Sequence, residues 1–383
     1  MISKQIFEQS KFSLKPLREF VQFLDNRRKP VREKERIEGP YPYYGANGQQ
    51  GSIDSFIFDE PTILLAEDGG HFENPDRGIA YKVEGQYWVN NHAHVLKPNE
   101  ETDINFLCHA LKNHDVTSYI NGTTRAKLTK GNAERILLPS PPLEEQKRIA
   151  SILDAAEELR QKRQRSLELL DELKQAIFWE TFFQSKDGTK TRVKLAEVVD
   201  FRSSQVDPKR QPYSEMLHVG PEHIASNTGE ISWQNVRTAT EDGVKSGKYK
   251  FESGDLIYSK IRPYLNKVAV ADREGICSAD MYALHNPQKI TIEFLHFLLM
   301  SNDFLNYAET LSNRANIPKL NRGQLSGYEF DLPSEASLQV FSRKMKNLDE
   351  VAKQLFLSTT KIDELFTSLQ HKAFAGELSG TAA

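Results

Sequence analysis

Four loop segments combine basic, amide and aromatic side chains with glycine or proline. They read YYGANGQQGS from Tyr43, TRAKLTKG from Thr124, YSKIRPYLNK from Tyr258 and RANIPKLNRG from Arg314. Arg and Lys donate to guanine, Asn and Gln pair with adenine, and other cations contact phosphates. These segments therefore carry the side chains that base reading requires, although each one alone also fits an ordinary solvated loop.

The candidate DNA-contacting residues come from these segments and from one His-rich strand. They are Tyr44, Asn47, Gln49, Asn91, His92, His94, Arg125, Lys127, Lys130, Lys260, Arg262, Tyr264, Lys267, Arg314, Asn316, Lys319 and Arg322.

The His-rich strand segment is Asn90-Asn91-His92-Ala93-His94. Alternate residues of a strand face the same side, so His92 and His94 could form a metal pair. His71 is the one further histidine nearby in sequence. Contact with a polar ligand and structural hydrogen bonding are the other roles open to the pair, and we predict no metal site.

Motifs of catalysis are missing from the sequence. It contains no GxGxxG, GxxxxGK[ST], GxSxG or HExxH pattern. The segment NPQK at Asn286 lacks the second proline and the aromatic residue of an Asn-Pro-Pro-aromatic methyltransferase motif. We therefore predict no catalytic residue and favour binding over catalysis.

The elements that position these loops occur twice. Leu17 and Glu19 match Leu195 and Glu197, KLTKG at Lys127 matches KLNRG at Lys319, Leu-Pro at 138 recurs at 332, and Asp-Glu-Leu at 171 recurs at 363. The matches keep their order along the chain, which indicates an internal duplication. Each copy reads as a globular part with short strands and helices, followed by a long helix.

The two long helices have apolar residues at alternating spacings of three and four, which is coiled-coil patterning. In the first, the basic run Arg160–Arg165 interrupts the pattern. We expect the helices to pack on one another along a seam, in preference to each packing on its own domain. The predicted seam residues are Ile149, Ile152, Leu159, Leu170, Leu173, Ile177, Phe341, Met345, Leu348, Leu355, Ile362 and Leu369.

Antiparallel packing of these helices would place one globular part at each end of a rod. Residues 338–373 would span roughly 54 Å as a helix. That length matches roughly 16 base pairs of DNA, and two separated half-sites on a double-stranded polymer would suit such a molecule.

The chain of 383 residues has a net charge of −3 and two cysteines, Cys108 and Cys277. The slight negative charge argues against a non-specific polyanion binder. Two cysteines without metal-site spacing do not make a disulfide framework. With no apolar run long enough for a bilayer and no signal-peptide pattern, we expect a cytoplasmic protein.

The sequence resembles a known family at this point. LPSPPLEEQKRIA from Leu138, leading into LDELKQAIF, looks like the central region of the specificity (S) subunits of type I restriction–modification systems. GDLIYSKIRPYLNK and AEDGG…YWVNNHAHVL look like the bodies of that family's target-recognition domains, and RANIPKL resembles a segment near their ends.

The resemblance implies an α+β fold with a pseudo-two-fold repeat and two target-recognition domains separated by two long helices in an antiparallel coiled coil. The implied ranges are residues 1–140 for the first domain, 141–185 for its helix, 186–333 for the second domain, 334–376 for its helix, and 377–383 for a flexible tail.

The resemblance also implies a role. Each domain would read one half of a bipartite, asymmetric site on double-stranded DNA, and the helices would set the spacer and dock two methyltransferase (M) subunits. This chain would bind no cofactor. AdoMet would lie on the M subunits, and ATP with Mg on the restriction (R) subunits.

Two other classes of function remain open from the residues alone. One is an enzyme that modifies or cuts DNA with a single chain. The other is a coiled-coil scaffold that joins two protein partners without reading DNA.

Overall fold

The computed structural model describes residues 4–72, 74, 77–121, 126–184, 191–312 and 318–378. It contains two compact units: residues 1–165 with 355–383, and residues 166–354. Each unit contains one globular domain and part of both long helices. This differs from the predicted division, in which each helix forms a segment of its own, because parts of both helices are buried in each unit.

The first domain is built mainly from short strands. The strands are β1 (Leu14–Pro16), β2 (Val21–Phe23), β3 (Tyr41–Gly45), β4 (Gly48–Ile53), β5 (Phe58–Asp59), β6 (Thr62–Ala66), β7 (Ala80–Val83), β8 (Gln86–Val89), β9 (Ala93–Pro98) and β10 (Leu137–Pro139). The helices are α1 (Lys4–Glu8), α2 (Ile104–Lys112) and α3 (Lys130–Ala133).

These strands form two four-stranded sheets, with the orders β2-β9-β6-β7 and β4-β3-β8-β5, and β1 pairs with β10. Strands β3 and β8 run parallel, and β6 is antiparallel to both of its neighbours. Every residue of β6 is buried, as expected for a continuous apolar run in the middle of a covered sheet.

The first long helix, α4 (Leu143–Phe182), follows the first domain directly. It begins after Pro141 and Pro142, and the carbonyl of Pro142 accepts hydrogen bonds from Glu145 N and Gln146 N. Proline at a helix start is favourable because its missing N–H would have no partner there. The Pro-containing hinge thus sets where the helix starts.

The second domain repeats the plan of the first. Its strands are β11 (Arg192–Lys194), β12 (Asp200–Phe201), β13 (Gln205–Val206), β14 (Leu217–Val219), β15 (Arg237–Thr238), β16 (Lys248–Phe251), β17 (Leu256–Ser259), β18 (Val268–Val270), β19 (Gly275–Cys277), β20 (Met281–His285) and β21 (Glu329–Asp331). Its helices are α5 (Ile292–Met300), α6 (Asn302–Ser312) and α7 (Arg322–Ser326).

The sheet orders show the repeat directly. The order β12-β20-β17-β18 corresponds to β2-β9-β6-β7, the pair β11-β21 corresponds to β1-β10, and parallel β14-β19 corresponds to parallel β3-β8. The helices α2 and α5 also start alike, with Asp103 accepting from Phe106 N and Thr291 from Phe294 N. The predicted α+β fold with an internal repeat is confirmed.

The second long helix, α8 (Glu335–Ala375), has a signal at each end. The hydroxyl of Ser334 accepts from Ser337 N at its start, an N-cap arrangement. At its end Gly376 adopts φ +74°. Gly376 N then donates to Ala373 O and Glu377 N to Lys372 O, the pairing of a Schellman motif.

In the first unit, the end of α8 packs into the core of the first domain. Phe366, Ala373 and Phe374 are buried there. The Phe7 ring lies 5.5 Å from that of Phe374. Leu378 packs against the same core, and its carbonyl accepts from Arg148. The predicted flexible tail therefore makes contacts through residue 378, while residues 379–383 lie outside the described residues.

In the second unit, the end of α4 and the start of α8 pack into the second domain. Phe178, Phe341 and Met345 are buried there. The Phe341 ring stands edge-on to those of Phe178 and Phe182, at 5.7 and 5.1 Å.

The seam on α4 needs a correction at two positions. Leu159 and Leu173, predicted as seam residues, are 41% and 46% exposed. The next residues, Arg160 and Lys174, turn inward and pair with Asp363 and Asp349 of α8. Apolar spacing alone selected the leucines because it cannot register a charged side chain that lies at the seam through an ion pair with the other helix.

The other predicted seam residues are buried or half-buried. These are Ile149, Ile152, Leu170, Ile177, Phe341, Met345, Leu348, Leu355, Ile362 and Leu369.

None of the helices in the described parts of the chain is long and apolar enough to cross a membrane.

Candidate nucleic-acid interface

In both domains the chain makes the same turn after an inner strand of a sheet, β6 in the first domain and β17 in the second. We call this the post-strand turn (residues 67–70 and 260–263). In the first domain, Glu67 N donates to His92 O, and Leu128 N donates to Glu67 O. In the second, Lys260 N donates to Asp280 O, and Leu320 N to Lys260 O.

Isolated bridges give the same alignment, because Asp68 pairs with Lys127 and Ile261 pairs with Lys319. The hydrogen bonds and bridges together make Glu67 equivalent to Lys260, and Gly69 equivalent to Arg262. One backbone frame thus carries different side chains in the two domains.

A polar groove of about 730 Å³ lies beside β3 and β8 in the first domain. The Arg36 guanidinium lies over the Tyr43 ring at 4.3 Å and donates to Gln50 O. Asn90 Nδ2 donates to the Gln50 side-chain oxygen. Asn91 and His92 complete this face of the groove, and Asn91 is exposed.

Arg36, Gln50 and Asn90 were not among the predicted contacts. Gln50 stands in the same YYGANGQQGS segment that supplied Gln49, so its amide was a usable signal. Arg36 lies outside every segment singled out, and only the tertiary structure brings it to the groove.

His94, a predicted DNA contact, is instead a structural residue. It is 1% exposed. Its Nδ1 lies 2.7 Å from Asp25 and its Nε2 lies 2.8 Å from the carbonyl of Leu128. Both ring nitrogens are held by groups of its own domain, and His94 lies in a run of four consecutive buried residues of β9, so its ring is not free to contact DNA.

Asp25, Glu67 and His94 lie close enough together to ligate a metal ion. Cationic side chains already occupy their carboxylates, however: Arg28 lies 2.7 Å and Lys127 2.9 Å from Glu67. Burial alone would raise the pKa of Asp25, but hydrogen bonds from His94 and Val95 N lower it overall. The arrangement is a cluster of hydrogen-bonded ion pairs.

His92, unlike His94, reaches the surface. Its side chain is 40% exposed and its Nδ1 lies 2.5 Å from Asp68. Lys127 is 46% exposed while it pairs with Glu67. Asn47 is exposed, and its amide donates to the carbonyl of Gly69. These three predicted contacts therefore lie around the post-strand turn of the first domain.

The remaining predicted contacts of the first domain have different surroundings. Tyr44 is half-buried, with its ring 6.0 Å from those of Tyr81 and Tyr87. Gln49 is exposed and donates to the carbonyl of Gly51. Lys130 is half-exposed and lies over the Phe23 ring at 5.5 Å.

Two predicted contacts of the second domain, Lys260 and Lys267, already donate to backbone carbonyls of their own domain. The ammonium of Lys260 donates to the carbonyl of Ala279, and its side chain is 13% exposed. Burial, and then the nearby Lys319, lower the pKa of Lys260. Lys267 donates to the carbonyl of Pro221 at 2.6 Å. Each ammonium therefore has a partner within its own domain, and Lys260 is the more buried of the two.

Four other predicted residues of this domain reach solvent. Arg262 is exposed, and Tyr264 is 50% exposed. Lys319 is 49% exposed and lies 3.1 Å from Asp280. Arg322 lies over the Phe201 ring at 4.9 Å. The predicted contacts Arg125, Arg314 and Asn316 lie outside the described residues.

The long helices present a matched pair of exposed leucines. The repeated Asp-Glu-Leu triplet ends in Leu173 on α4 and in Leu365 on α8, and these leucines are 46% and 53% exposed. A groove flanks each triplet. Glu172, Gln175, Ala176 and Trp179 line the groove in the second unit. The equivalent Glu364, Thr367, Ser368 and His371 line the groove in the first.

The two domains thus repeat one fold and one turn, and that turn carries different side chains in each domain. The chain belongs to the family of the type I restriction modification DNA specificity domain, whose family model matches residues 9–169 and 191–365. The resemblance noted from the sequence is thereby confirmed.

Relatives align over most of the chain. It is 28% identical over 384 residues to the EcoDI type I restriction enzyme specificity subunit of Escherichia coli, covering 89% of this chain and 83% of that protein. It is 26% identical to the MjaVIII type I restriction enzyme specificity subunit of Methanocaldococcus jannaschii, covering 87% and 85%.

Solved structures share the fold. The type I restriction–modification S subunit of M. genitalium superposes with a TM-score of 0.59 at 14% identity, over 95% of this chain and 96% of that one. A chain from a type I system solved to explain complex assembly gives a TM-score of 0.54 at 15% identity, over 96% and 98%.

Proposed function

We propose that this chain is the DNA sequence-specificity subunit of a type I restriction–modification complex, and that each domain reads one half of a bipartite, asymmetric DNA site. One observation carries the proposal. The two domains repeat one backbone frame at the post-strand turn but fill it with different side chains. Two readers of one fold with different contact residues are suited to two different half-sites.

The side chains around the two turns support direct reading of DNA. The first domain presents amides together with His92 and Lys127, and the second presents Arg262, Tyr264, Lys319 and Arg322. Amides suit adenine and arginine suits guanine. The two half-sites are therefore expected to differ in base composition.

We propose that the chain reads DNA without modifying it. The two cysteines are poor nucleophiles, because burial raises the pKa of Cys108 to about 11 and that of Cys277 to about 12. In this proposal AdoMet lies on methyltransferase subunits, and ATP with Mg²⁺ lies on restriction subunits. The cytoplasm, where these partners would meet chromosomal DNA, is the proposed location.

The exposed leucines of the helices support docking of two methyltransferase subunits. Leu173 and Leu365 occupy the same position in the repeat, each beside a groove with equivalent lining positions. A pair of matched apolar positions suits two copies of one partner. The net charge of −3 suggests that these partners also supply part of the DNA affinity.

A methylation map tests the proposal. The chain would be co-expressed with its genomic methyltransferase neighbour in a methylation-free host, and modified adenine would be located by sequencing. A single split motif with a fixed spacer is the expected result. Methylation at one undivided motif would mean that only one of the two domains reads DNA. Absence of methylation from a soluble complex would favour a scaffold that joins proteins.

A further inference from the structure

The post-strand turn requires a left-handed backbone in both domains. Gly69 has φ +67° and its equivalent Arg262 has φ +49°. Glycine adopts this region without a steric penalty, whereas an L side chain places its Cβ too close to the following carbonyl. The first domain therefore has glycine, the residue that this backbone conformation favours. The second domain has an arginine, whose Cβ raises the conformational free energy of the turn.

The second domain holds Arg262 in this conformation with several contacts. Arg262 N donates to Pro318 O at 2.7 Å, and Leu265 N donates to Arg262 O at 2.9 Å. Pro263, the next residue, is buried. The backbone of Arg262 is thus held on both sides, and its exposed side chain extends from a hydrogen-bonded turn.

The side chain of Arg262 makes no interaction among the described residues that would offset the cost of its left-handed backbone. Its guanidinium has no hydrogen bond or ion pair among the described residues, and the residue is exposed. Lys260 and Lys267, on the same short segment, are both held by backbone carbonyls. Arg262 is the cation of this turn that remains available to a ligand.

We propose that Arg262 is a specificity-determining residue that reads a guanine in the half-site of the second domain, at the place where the first domain presents only the backbone of Gly69. This inference rests on the proposed function. A phosphate contact tolerates a flexible side chain on relaxed backbone. A bidentate contact to guanine O6 and N7 needs the fork of an arginine in a fixed position, which the rigid turn supplies.

The test uses the full chain in complex with its methyltransferase. Arg262→Ala removes the guanidinium side chain but keeps a Cβ on the left-handed backbone, and Arg262→Gly removes both the side chain and the strain. Arg262→Lys keeps the positive charge without the forked guanidinium. Arg210→Ala is the matched control, because Arg210 is an exposed arginine of the same domain. Binding is measured on the mapped motif and on duplexes with each base of the second half-site changed in turn.

We expect Arg262→Ala to bind the motif about tenfold more weakly and to lose discrimination at one G·C pair, with the first half-site still read. Arg262→Lys should not restore that discrimination, and Arg210→Ala should behave as the unaltered chain. Arg262→Gly should melt about 2 °C above Arg262→Ala, because only glycine relieves the strained backbone.

Two results would overturn the inference while the proposed function stands. One is unchanged binding and specificity in Arg262→Ala. The other is an equal loss on every duplex together with a shallower salt dependence, which would mark a phosphate contact. Failure of the proposed function looks different, because the unaltered complex would then show no sequence preference.

Discussion

Arg160 of α4 and Asp363 of α8 form an ion pair along the helix seam of the first unit, with Nε 2.7 Å from Oδ1. The guanidinium also lies over the Phe366 ring at 4.6 Å. In the second unit, Lys174 pairs with Asp349 at 2.8 Å. Lys174 is fourteen residues after Arg160, and Asp349 is fourteen residues before Asp363. Within the first unit Arg148, earlier on α4, donates to Leu378 after the end of α8, and within the second unit Phe178, later on α4, contacts Phe341, earlier on α8, so the helices run antiparallel in each unit. Charged seam residues are known to specify register.

A double-mutant cycle tests the first pair. Arg160→Met and Asp363→Asn should each lower the unfolding free energy, and the two changes should couple by about 0.5 kcal/mol, as expected for a partly exposed pair. Thermal and urea unfolding provide the measurement. The control is Arg160→Met with Glu364→Gln, the neighbouring exposed acid, for which we expect additive effects. Additive effects at Asp363 would argue against this register.

The exposed leucines should be required for assembly and dispensable for folding. Leu173→Asp and Leu365→Asp place a charge in a proposed apolar contact, so each should remove about one methyltransferase from the complex. The double variant should remove both. Native mass spectrometry or light scattering counts the subunits, and the Tm of the free chain should stay within about 1 °C. Ile37→Asp is the control, since Ile37 is 66% exposed in the first domain. Full assembly by the double variant would reject these positions as docking sites.

The lysines of the second domain should separate into structural and DNA-binding residues. Lys260→Ala removes the hydrogen bond to the Ala279 carbonyl, so it should lower the Tm by a few degrees, a loss of about 1 kcal/mol. Lys319→Ala should leave the Tm nearly unchanged and reduce the salt dependence of DNA binding by about one unit of slope. Calorimetry and binding titrations at several salt concentrations distinguish the two. The reverse pattern would mean that the inward direction of Lys260 is wrong.

His114 should make the first unit less stable in mild acid. Burial lowers the pKa of His114 to about 4, and both ring nitrogens lack a hydrogen bond among the described residues. The folded state therefore keeps the ring neutral where the unfolded state, with an ordinary pKa of 6.5, takes up a proton. The contribution of neutral His114 to the unfolding free energy is therefore complete above pH 6.5 and is lost as the pH falls toward 4.

His114→Phe should remove this pH dependence and keep the stacking on Phe7, whose ring lies 4.9 Å away. From pH 7 to pH 5.5 we expect the unaltered chain to lose about 1 kcal/mol more than the variant. Urea unfolding at these pH values measures the difference, and His371→Gln, at an exposed position, serves as the control. Parallel pH curves for His114→Phe and the unaltered chain would contradict the prediction.

The sequence by itself determined the repeat, the α+β class and the two long helices. Hydrophobic periodicity and a Pro-containing hinge act locally, so they can be read in one dimension. The apolar stripe of α8 was also predictable, because its seam residues are apolar along most of its length.

Only the tertiary structure decided which polar side chains face inward. Lys260, Lys267 and His94 meet carbonyls or carboxylates from distant segments, and Arg160 and Lys174 meet acids of the other helix. Residue type alone does not tell a buried, paired cation from a free one, because the partner is brought close by the fold. The equivalence of Gly69 and Arg262 likewise depends on backbone hydrogen bonds between segments far apart in sequence, so it became visible only in three dimensions.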